Sequence, residues 1–343
     1  MLKRRLILAL FTVLAIAGTG RSGYADQLIN GAGATFPYPI YSKWFDVYAK
    51  ENPGIKFNYQ SIGSGGGIRM LSNRIVDLGA SDAPLTDAQL SDASGKILHF
   101  PSVMGAVVIA YNLPNFTGTL RLTGPVIAEI FSGKITKWDD DKIRTLNPGA
   151  AIPSQDIVVC HRSDGSGTSY IFTDYLSKVS SAWQSDPGKG TAVKWPIGLG
   201  GKGNEGVTAL VQLTPGAIGY IELIYAINNK IPFAQLQNKA GSWVDASLEG
   251  VTAAAASSAG NMPDDFRVSI TDAPGATAYP ISSFTWLLVY QKQTNHEIGT
   301  QIKKFLSWAL TEGQTYVAAL KYAPLPAAVV QKETARIQQI QVP

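Results

Sequence analysis

The chain contains a single cysteine, Cys160, among its 343 residues. One cysteine cannot form an internal disulfide, and its position far from the amino terminus excludes a lipid-bearing cysteine at a signal cleavage site. Because Cys160 lies in the apolar run DIVVCH, we expect a buried, unreactive thiol.

Histidine is also scarce, with only His99, His161 and His296 in the sequence. The side chain of His161 should alternate with that of Arg162 along a strand and face the other way. Ser166, in DGSGT, lacks the glycines two residues before and after it that a nucleophile elbow requires. The sequence shows no His, Asp and Glu cluster of the kind a metal-dependent phosphatase needs. We therefore predict that the protein is not an enzyme and has no metal and no cofactor.

Charged residues make up 16% of the chain, and the net charge of +4 is unevenly placed. Residues 1–25 have the features of a signal peptide: Lys3, Arg4 and Arg5 precede the apolar run Leu6 to Ala17, and small residues follow. That run is too short to span a bilayer comfortably, and no longer one follows it. We expect an exported protein that is not a lipoprotein.

The excess of positive charge belongs to this signal segment. It holds four of the 29 basic residues and none of the 25 acidic ones, so the mature chain has 25 of each sign. Because the mature chain has no basic stripe, we predict that it does not bind nucleic acid. No sequence feature calls for an oligomer, and we expect a monomer.

Strand and helix patterns alternate along the mature chain, which is typical of an α/β fold. IKFNYQ (55–60) and DLGAS (77–81) predict strands around a short helix over 67–76, with Ile68, Leu71 and Ile75 on one face. AVVIAYN (106–112) and FTWLLVY (284–290) predict strands buried on both faces. A long helical pattern over 298–320 is interrupted by Gly313. The length favours two α/β lobes.

Glycine and hydroxyl residues concentrate in four loops, each between a strand pattern and a helix pattern. At such junctions the free N–H groups of a helix start can bind an anion, although a serine or threonine there is often only a helix cap. The loops lack both the dinucleotide fingerprint and the P-loop ending. They are GAGATFP (31–37), IGSGGGIR (62–69), GASDAP (79–84) and RSDGSGTS (162–169).

Two charged residues sharpen the anion hypothesis. Arg162 offers a planar fork to an oxyanion and Asp164 can hold that fork, unless the two form an ordinary surface salt bridge. Asp82 would repel a fully ionised ligand, so it fits an anion that still carries a proton. Phosphate carries one near neutral pH and sulfate carries none. Sites built around a matching hydrogen bond reject analogues lacking it by roughly 10⁴ to 10⁵.

Eight motifs then make the chain resemble the periplasmic phosphate-binding proteins of phosphate-specific ABC transporters. In order along the chain they are GAGATFPYPIYSKW, YQSIGSGGGIRML, DLGASDAPL, IFSGKITKWDD, RSDGSGTSYIFTDYLSKVS, GGKGNEGV, TPGAIGYIE and YAPLP. The resemblance implies an exported, periplasmic and non-enzymatic protein that captures phosphate and delivers it to membrane permease subunits. A binding protein for another tetrahedral oxyanion, such as sulfate, and an exported phosphatase remain the alternatives.

The resemblance also implies the fold and the ligand residues. The fold would be a two-lobed periplasmic-binding-protein fold of type II, with a cleft between two α/β lobes joined by two hinge crossings. Lobe 1 would comprise 26–105 and 282–343, and lobe 2 would comprise 106–281. Gly105, Ser282 and Ser283 are hinge candidates. GGKGNEGV either braces the cleft or, as we favour here, caps a helix starting near Glu205. Asp164 would steady Arg162, and the phosphate-binding residues would be Thr35, Phe36, Ser64, Asp82, Arg162, Ser166, Gly167 and Thr168.

Overall fold

The computed structural model describes residues 27–260 and 262–343, so the predicted signal segment lies outside the described residues. Within those two ranges the chain forms eleven strands and twelve α-helices. The strands are β1 (Gln27–Gly33), β2 (Ile55–Ser61), β3 (Leu78–Ser81), β4 (Ile97–Tyr111), β5 (Arg121–Leu122), β6 (Val158–Arg162), β7 (Leu199–Gly201), β8 (Ala217–Glu222), β9 (Gln235–Gln237), β10 (Trp243–Val244) and β11 (Ser282–Tyr290).

The helices lie between these strands and after the last of them. Two 3-10 segments, Glu312–Tyr316 and Ala318–Leu320, follow the eleventh helix. The helices are α1 (Tyr38–Glu51), α2 (Ser64–Ser72), α3 (Asp87–Asp92), α4 (Gly124–Phe131), α5 (Asp141–Leu146), α6 (Gly167–Val179), α7 (Ser181–Ser185), α8 (Gly203–Leu213), α9 (Leu223–Asn228), α10 (Leu248–Ala259), α11 (His296–Leu310) and α12 (Ala327–Ile337).

Eight strands form one curled mixed sheet in the order β2-β1-β3-β11-β4-β8-β6-β7. β1 pairs in parallel with β2 and β3, and β6 pairs in parallel with β7 and β8. β11 is antiparallel to both β3 and β4, and β4 is antiparallel to β8. β5, β9 and β10 form a small separate sheet. The fold is therefore mixed α/β, as the alternating patterns predict.

The long strand β4 joins the two halves of this sheet. Its residues 97–106 pair with β11, whereas its residues 107–111 pair with β8. All fifteen residues of β4 are buried, which confirms the expectation for 106–111, but the strand begins at Ile97, nine residues before the predicted run. The change of partner falls beside the hinge candidates, where Gly105 pairs with Ser283 and Ala106 with Ser282. The hinge role itself and the lobe boundaries stay predictions.

Each half of the sheet carries its own aromatic cluster. In the half that contains β1 and β2, the rings of Phe45 and Phe57 stack with centroids 4.5 Å apart. In the half that contains β6 and β8, Phe172 stacks on Tyr220 with centroids 4.4 Å apart. The aromatic residues of the two halves thus pack separately, although the buried apolar residues of both halves form one continuous hydrophobic core. Among the described residues, no helix combines the length and the apolar content needed to cross a membrane.

Two helix predictions need correction. Helix α2 begins at Ser64 and ends at Ser72, so Ile75 lies beyond it and is 62% exposed rather than on the buried face. The run of glycines at 65–67, with its low helix propensity, hides the true helix start in the sequence. The long pattern over 298–320 is a helix only to Leu310, and Gly313 falls within the following 3-10 segment.

Candidate anion-binding site

The four glycine and hydroxyl loops meet in the structure. They follow β1, β2, β3 and β6, and the carboxyl ends of neighbouring parallel strands lie at the same edge of a sheet. All eight residues predicted to bind the anion are buried, and they lie at these strand ends or in the helix starts that follow. They are Thr35, Phe36, Ser64, Asp82, Arg162, Ser166, Gly167 and Thr168.

Arg162, the last residue of β6, is the buried cation of the site. Its guanidinium makes a bidentate pair with Asp164, with Nε–Oδ1 at 2.8 Å and Nη2–Oδ2 at 2.6 Å. The Arg162 side chain is 1% exposed, so this is not a surface salt bridge. Burial acts to raise the pKa of Asp164, but the hydrogen bonds and charge of Arg162 outweigh it and leave that pKa lowered. Asp164 thus fixes Arg162, as the sequence predicts.

Two helices start at the site. Helix α6 begins with Gly167 and Thr168, and helix α2 begins with Ser64. The first N–H groups of a helix have no carbonyl partner within it, and the helix dipole makes this end positive. Ser166 is a true cap, because its Oγ accepts from the Ser169 N–H at 3.0 Å. Thr35 and Ser64 are not caps, since α1 and α2 are preceded by Pro37 and Gly63 at their N-cap positions.

Gly167 lies close to residues from the other half of the sheet. A Cβ placed on Gly167 would lie 2.6 Å from Asp82 Cβ and Oδ2, and it would also meet the hydroxyl of Ser64. No real side chain tolerates such contacts without displacing its neighbours. Glycine at 167 therefore lets the start of α6 approach the loop after β3, which brings Arg162 and Asp82 into one site.

Asp82, after β3, is a carboxyl group buried to 1% exposure. Its Oδ1 accepts from the Thr285 hydroxyl at 2.7 Å, and its Oδ2 lies 3.4 Å from the Ser64 hydroxyl. Burial raises the pKa of Asp82 to about 7, although Thr285, the charge of Arg162 and Ser64 each act to lower it. A group with such a pKa can accept or donate a proton near neutrality.

This pKa predicts that stability depends on pH through Asp82. An unfolded aspartate releases its proton near pH 3.9, whereas folded Asp82 keeps it to about pH 7. Between those values the folded state holds a proton that the unfolded state lacks, so the free energy of unfolding falls as the pH rises. Asp82→Asn cannot titrate at this position. From pH 5 to pH 8 we therefore expect the free energy of unfolding of the parent chain to fall by roughly 2 to 3 kcal/mol relative to that of Asp82→Asn.

Urea unfolding of both chains in phosphate-free buffer measures this difference. Other carboxyl groups titrate in both chains, so their contributions cancel in the comparison. A difference in unfolding free energy that stays constant from pH 5 to pH 8 would contradict the raised pKa.

The two halves of the sheet also contact each other directly around the site. The Gly65 N–H donates to the Gly165 carbonyl at 2.9 Å. The hydroxyl of Tyr225, in α9, donates to the Thr35 carbonyl at 2.6 Å. Asn204, the second residue of α8, donates through Nδ2 to Thr35 Oγ1 at 2.8 Å. The loops of both lobes are therefore in hydrogen-bonding contact.

The segment GGKGNEGV braces the site instead of only capping a helix, which corrects the favoured prediction. Lys202 occupies the N-cap of α8 but makes no side-chain capping bond. Gly203 N–H donates to Asp164 Oδ1 at 3.1 Å, and Asn204 contacts Thr35 from the opposite half of the sheet. The sequence does not show these contacts, because the partners of this segment are distant along the chain.

Sequence reasoning also missed Asn204, Tyr225 and Thr285 as parts of the site. Asn204 and Tyr225 lie in the first turns of α8 and α9, and none of the three residues sits in the four glycine and hydroxyl loops described above. Thr285 lies in the middle of β11, inside a run that reads as core. The one available signal was the position of Asn204 in a glycine-rich junction between β7 and α8.

The groups that could suggest an enzyme lie elsewhere or are inert. The His161 ring stacks on Trp195, with centroids 4.9 Å apart and 12° between the planes, on the side of β6 away from the Arg162 side chain. Cys160 is buried, and burial raises the pKa of its thiol to about 11. Within the described ranges, no group of three or more His, Cys, Asp or Glu side chains could hold a metal.

Comparisons with known proteins agree on one kind of protein. A family model described as the PBP superfamily domain matches residues 17–312. The phosphate-binding protein PstS of Pasteurella multocida is 45% identical, over 97% of this chain and 94% of its own length. A high-affinity periplasmic phosphate-binding protein solved with phosphate has a TM-score of 0.71 at 22% identity, covering 90% of this chain and 93% of that one. An ABC-type phosphate transport receptor from Vibrio cholerae has a TM-score of 0.57 at 19% identity, covering 87% of this chain and 100% of that one.

Proposed function

The chain belongs to the PstS family of phosphate-binding proteins, and from this membership and the geometry of its site we propose that it binds inorganic phosphate in the cleft between its lobes and delivers it to a phosphate ABC transporter. It is a substrate-binding protein and not an enzyme. Its fold is the two-lobed periplasmic-binding-protein fold.

The observation that carries the proposal is the presence of buried Arg162 and buried Asp82 in one site. The Arg162 guanidinium and the starts of α2 and α6 all favour negative charge. Asp82 adds a carboxyl group with a pKa of about 7. Phosphate titrates in the same pH range, so one proton can be shared between ligand and protein. Sulfate brings no such proton, and a desolvated Asp82 carboxylate would repel it.

We assign the donors and the acceptor as follows. Arg162 donates through its guanidinium, and Ser166 donates through a hydroxyl whose oxygen already accepts from Ser169. Phe36 contributes its backbone N–H, because its side chain is fully buried in the core. Asp82 accepts. The remaining donors are the hydroxyl or backbone N–H groups of Thr35, Ser64, Gly167 and Thr168.

Lobe closure accompanies binding in this proposal. Lobe 1 comprises residues 26–105 and 282–343, lobe 2 comprises 106–281, and the crossings lie at Gly105 in β4 and at Ser282 and Ser283 in β11. The partner change in β4 supports this division, because the strand leaves one half of the sheet at 106 and enters the other at 107. The mature protein acts in the periplasm as a monomer, without nucleic acid, and docks on the permease subunits of the transporter.

A fluorescence titration tests the proposed function. The chain has seven tryptophans, so lobe closure should change its intrinsic emission. We expect phosphate to saturate this change at concentrations on the order of 10⁴-fold below those needed for sulfate, as for a site that requires a ligand proton. Chloride at matched ionic strength is the control. An equal or stronger response to sulfate would contradict phosphate as the ligand and would indicate a site for another tetrahedral oxyanion.

A further inference from the structure

Asn204 lies between two hydroxyl groups of the proposed phosphate site, one from each lobe. It is fully buried at the second position of α8. Its Nδ2 donates to Thr35 Oγ1 at 2.8 Å and to Thr168 Oγ1 at 3.1 Å. One amide group therefore contacts the side chains of two predicted ligand residues that are 133 positions apart in the sequence.

The orientation of this amide is set by the backbone. Asn204 Oδ1 accepts from the Glu222 N–H at 2.9 Å. If the amide were turned over, its NH₂ group would face the Glu222 N–H, and two donors would oppose each other without an acceptor. The end of β8 thus holds the Asn204 NH₂ group toward Thr35 and Thr168.

Both hydroxyl oxygens have their acceptor positions filled. Thr35 Oγ1 accepts from the Asn204 backbone N–H at 3.2 Å as well as from Nδ2. Thr168 Oγ1 accepts from Arg162 Nη1 at 3.3 Å as well as from Asn204 Nδ2. A threonine hydroxyl has two lone pairs and one hydrogen. With two N–H donors on each oxygen, the hydroxyl hydrogen is left to donate, and the acceptor it can reach is a bound anion.

We propose that Asn204 is a positioning residue that turns the Thr35 and Thr168 hydroxyls into obligate donors to the phosphate. The inference rests on the proposed function. A free hydroxyl can rotate and can present either its hydrogen or its lone pairs, whereas these two present only hydrogen. Because Asn204 belongs to lobe 2 and Thr35 to lobe 1, the Thr35 hydroxyl acquires this orientation when the lobes meet.

Asn204→Asp tests the proposal with a side chain of nearly the same shape. At pH 8 its carboxylate accepts where the amide donated, so the two hydroxyls turn toward it and away from the anion. We expect phosphate affinity, measured by calorimetry, to fall on the order of 100-fold or more, from two lost donors to a charged ligand and an added like charge.

Acidification supplies a readout that a purely structural role would not give. A protonated carboxyl at position 204 can donate again, so the ratio of parent to Asn204→Asp affinity should shrink as the pH falls from 8 to 5. Phosphate and Asp82 titrate in both experiments, so their effects on affinity cancel in this ratio. Asn204→Ala has no titrating group there, and its ratio should stay constant with pH. A constant ratio for Asn204→Asp would overturn the proposal.

A double-mutant cycle separates action through the hydroxyls from general damage. In a chain that already carries Thr35→Val and Thr168→Val, Asn204→Asp should cost markedly less affinity than in the parent; an equal cost would contradict the proposal. Asn58→Asp adds the same charge at an exposed position of β2 and should bind as the parent does. If the parent itself does not bind phosphate, the proposed function is refuted. If the parent binds phosphate and the affinity of Asn204→Asp at pH 8 is less than threefold lower, only the role of Asn204 is refuted.

Discussion

Arg162→Ala is expected to weaken phosphate binding by roughly 30- to 1,000-fold, which corresponds to about 2 to 4 kcal/mol. The substitution removes a buried cation that, in the proposed function, donates to the anion through charge-assisted hydrogen bonds. It also leaves Asp164 without the guanidinium it now binds at 2.6 and 2.8 Å, so an unpaired carboxylate remains beside an anionic ligand. Isothermal titration calorimetry with phosphate measures the loss.

Two further variants show whether phosphate affinity depends on the geometry of the Arg162 guanidinium or on its charge alone. Arg162→Lys keeps the charge but lacks the planar fork that pairs with Asp164, so its affinity should lie between those of the parent and Arg162→Ala. Arg144→Ala removes a cation whose side chain is 57% exposed and paired with Asp139, and it should bind phosphate normally. An Arg162→Ala chain with the dissociation constant of the parent would rule out the proposed role of Arg162.

Asp82→Asn is expected to lower the discrimination between phosphate and sulfate, on the order of 100-fold or more. Asparagine keeps the size of the side chain, and its Oδ1 can still accept from the Thr285 hydroxyl. Its NH₂ group replaces the carboxylate oxygen near Ser64 and Gly167, so a donor faces the ligand where an acceptor did. Sulfate, which needs only donors, should gain most from the change.

The pH dependence of discrimination provides an independent check on the same residue. Because the pKa of Asp82 is raised to about 7, the parent should hold a neutral, donating carboxyl group below that pH and a carboxylate above it. Its preference for phosphate over sulfate should therefore decline on acidification, while that of Asp82→Asn should change less. Titrations with both anions between pH 5 and pH 8 give the ratios. If Asp82→Asn still ignores sulfate, the specificity does not depend on a proton at Asp82.

The sequence predicted the strands and loops of the site well because those signals are local. Ile55–Ser61, Leu78–Ser81 and Ser282–Tyr290 are strands close to the predicted bounds, since runs of β-branched, aromatic and apolar residues favour strands. The helix after β2 was placed three residues late, because glycines 65–67 have low helix propensity. In the fold they begin α2, where Gly65 N–H binds the Gly165 carbonyl and glycine permits the close approach.

The sequence by itself determined the α/β class, the family, and the chemistry of the four loops, because a glycine, a hydroxyl or an arginine at a strand end has the same donors in any fold. Tertiary structure decided what those groups can do. The raised pKa of Asp82 comes from burial beneath both lobes, and the direction of the Thr35 and Thr168 hydroxyls comes from Asn204, which neither loop contains. Solvent exclusion and hydrogen-bond direction depend on segments far apart in the chain, and only folding brings these together.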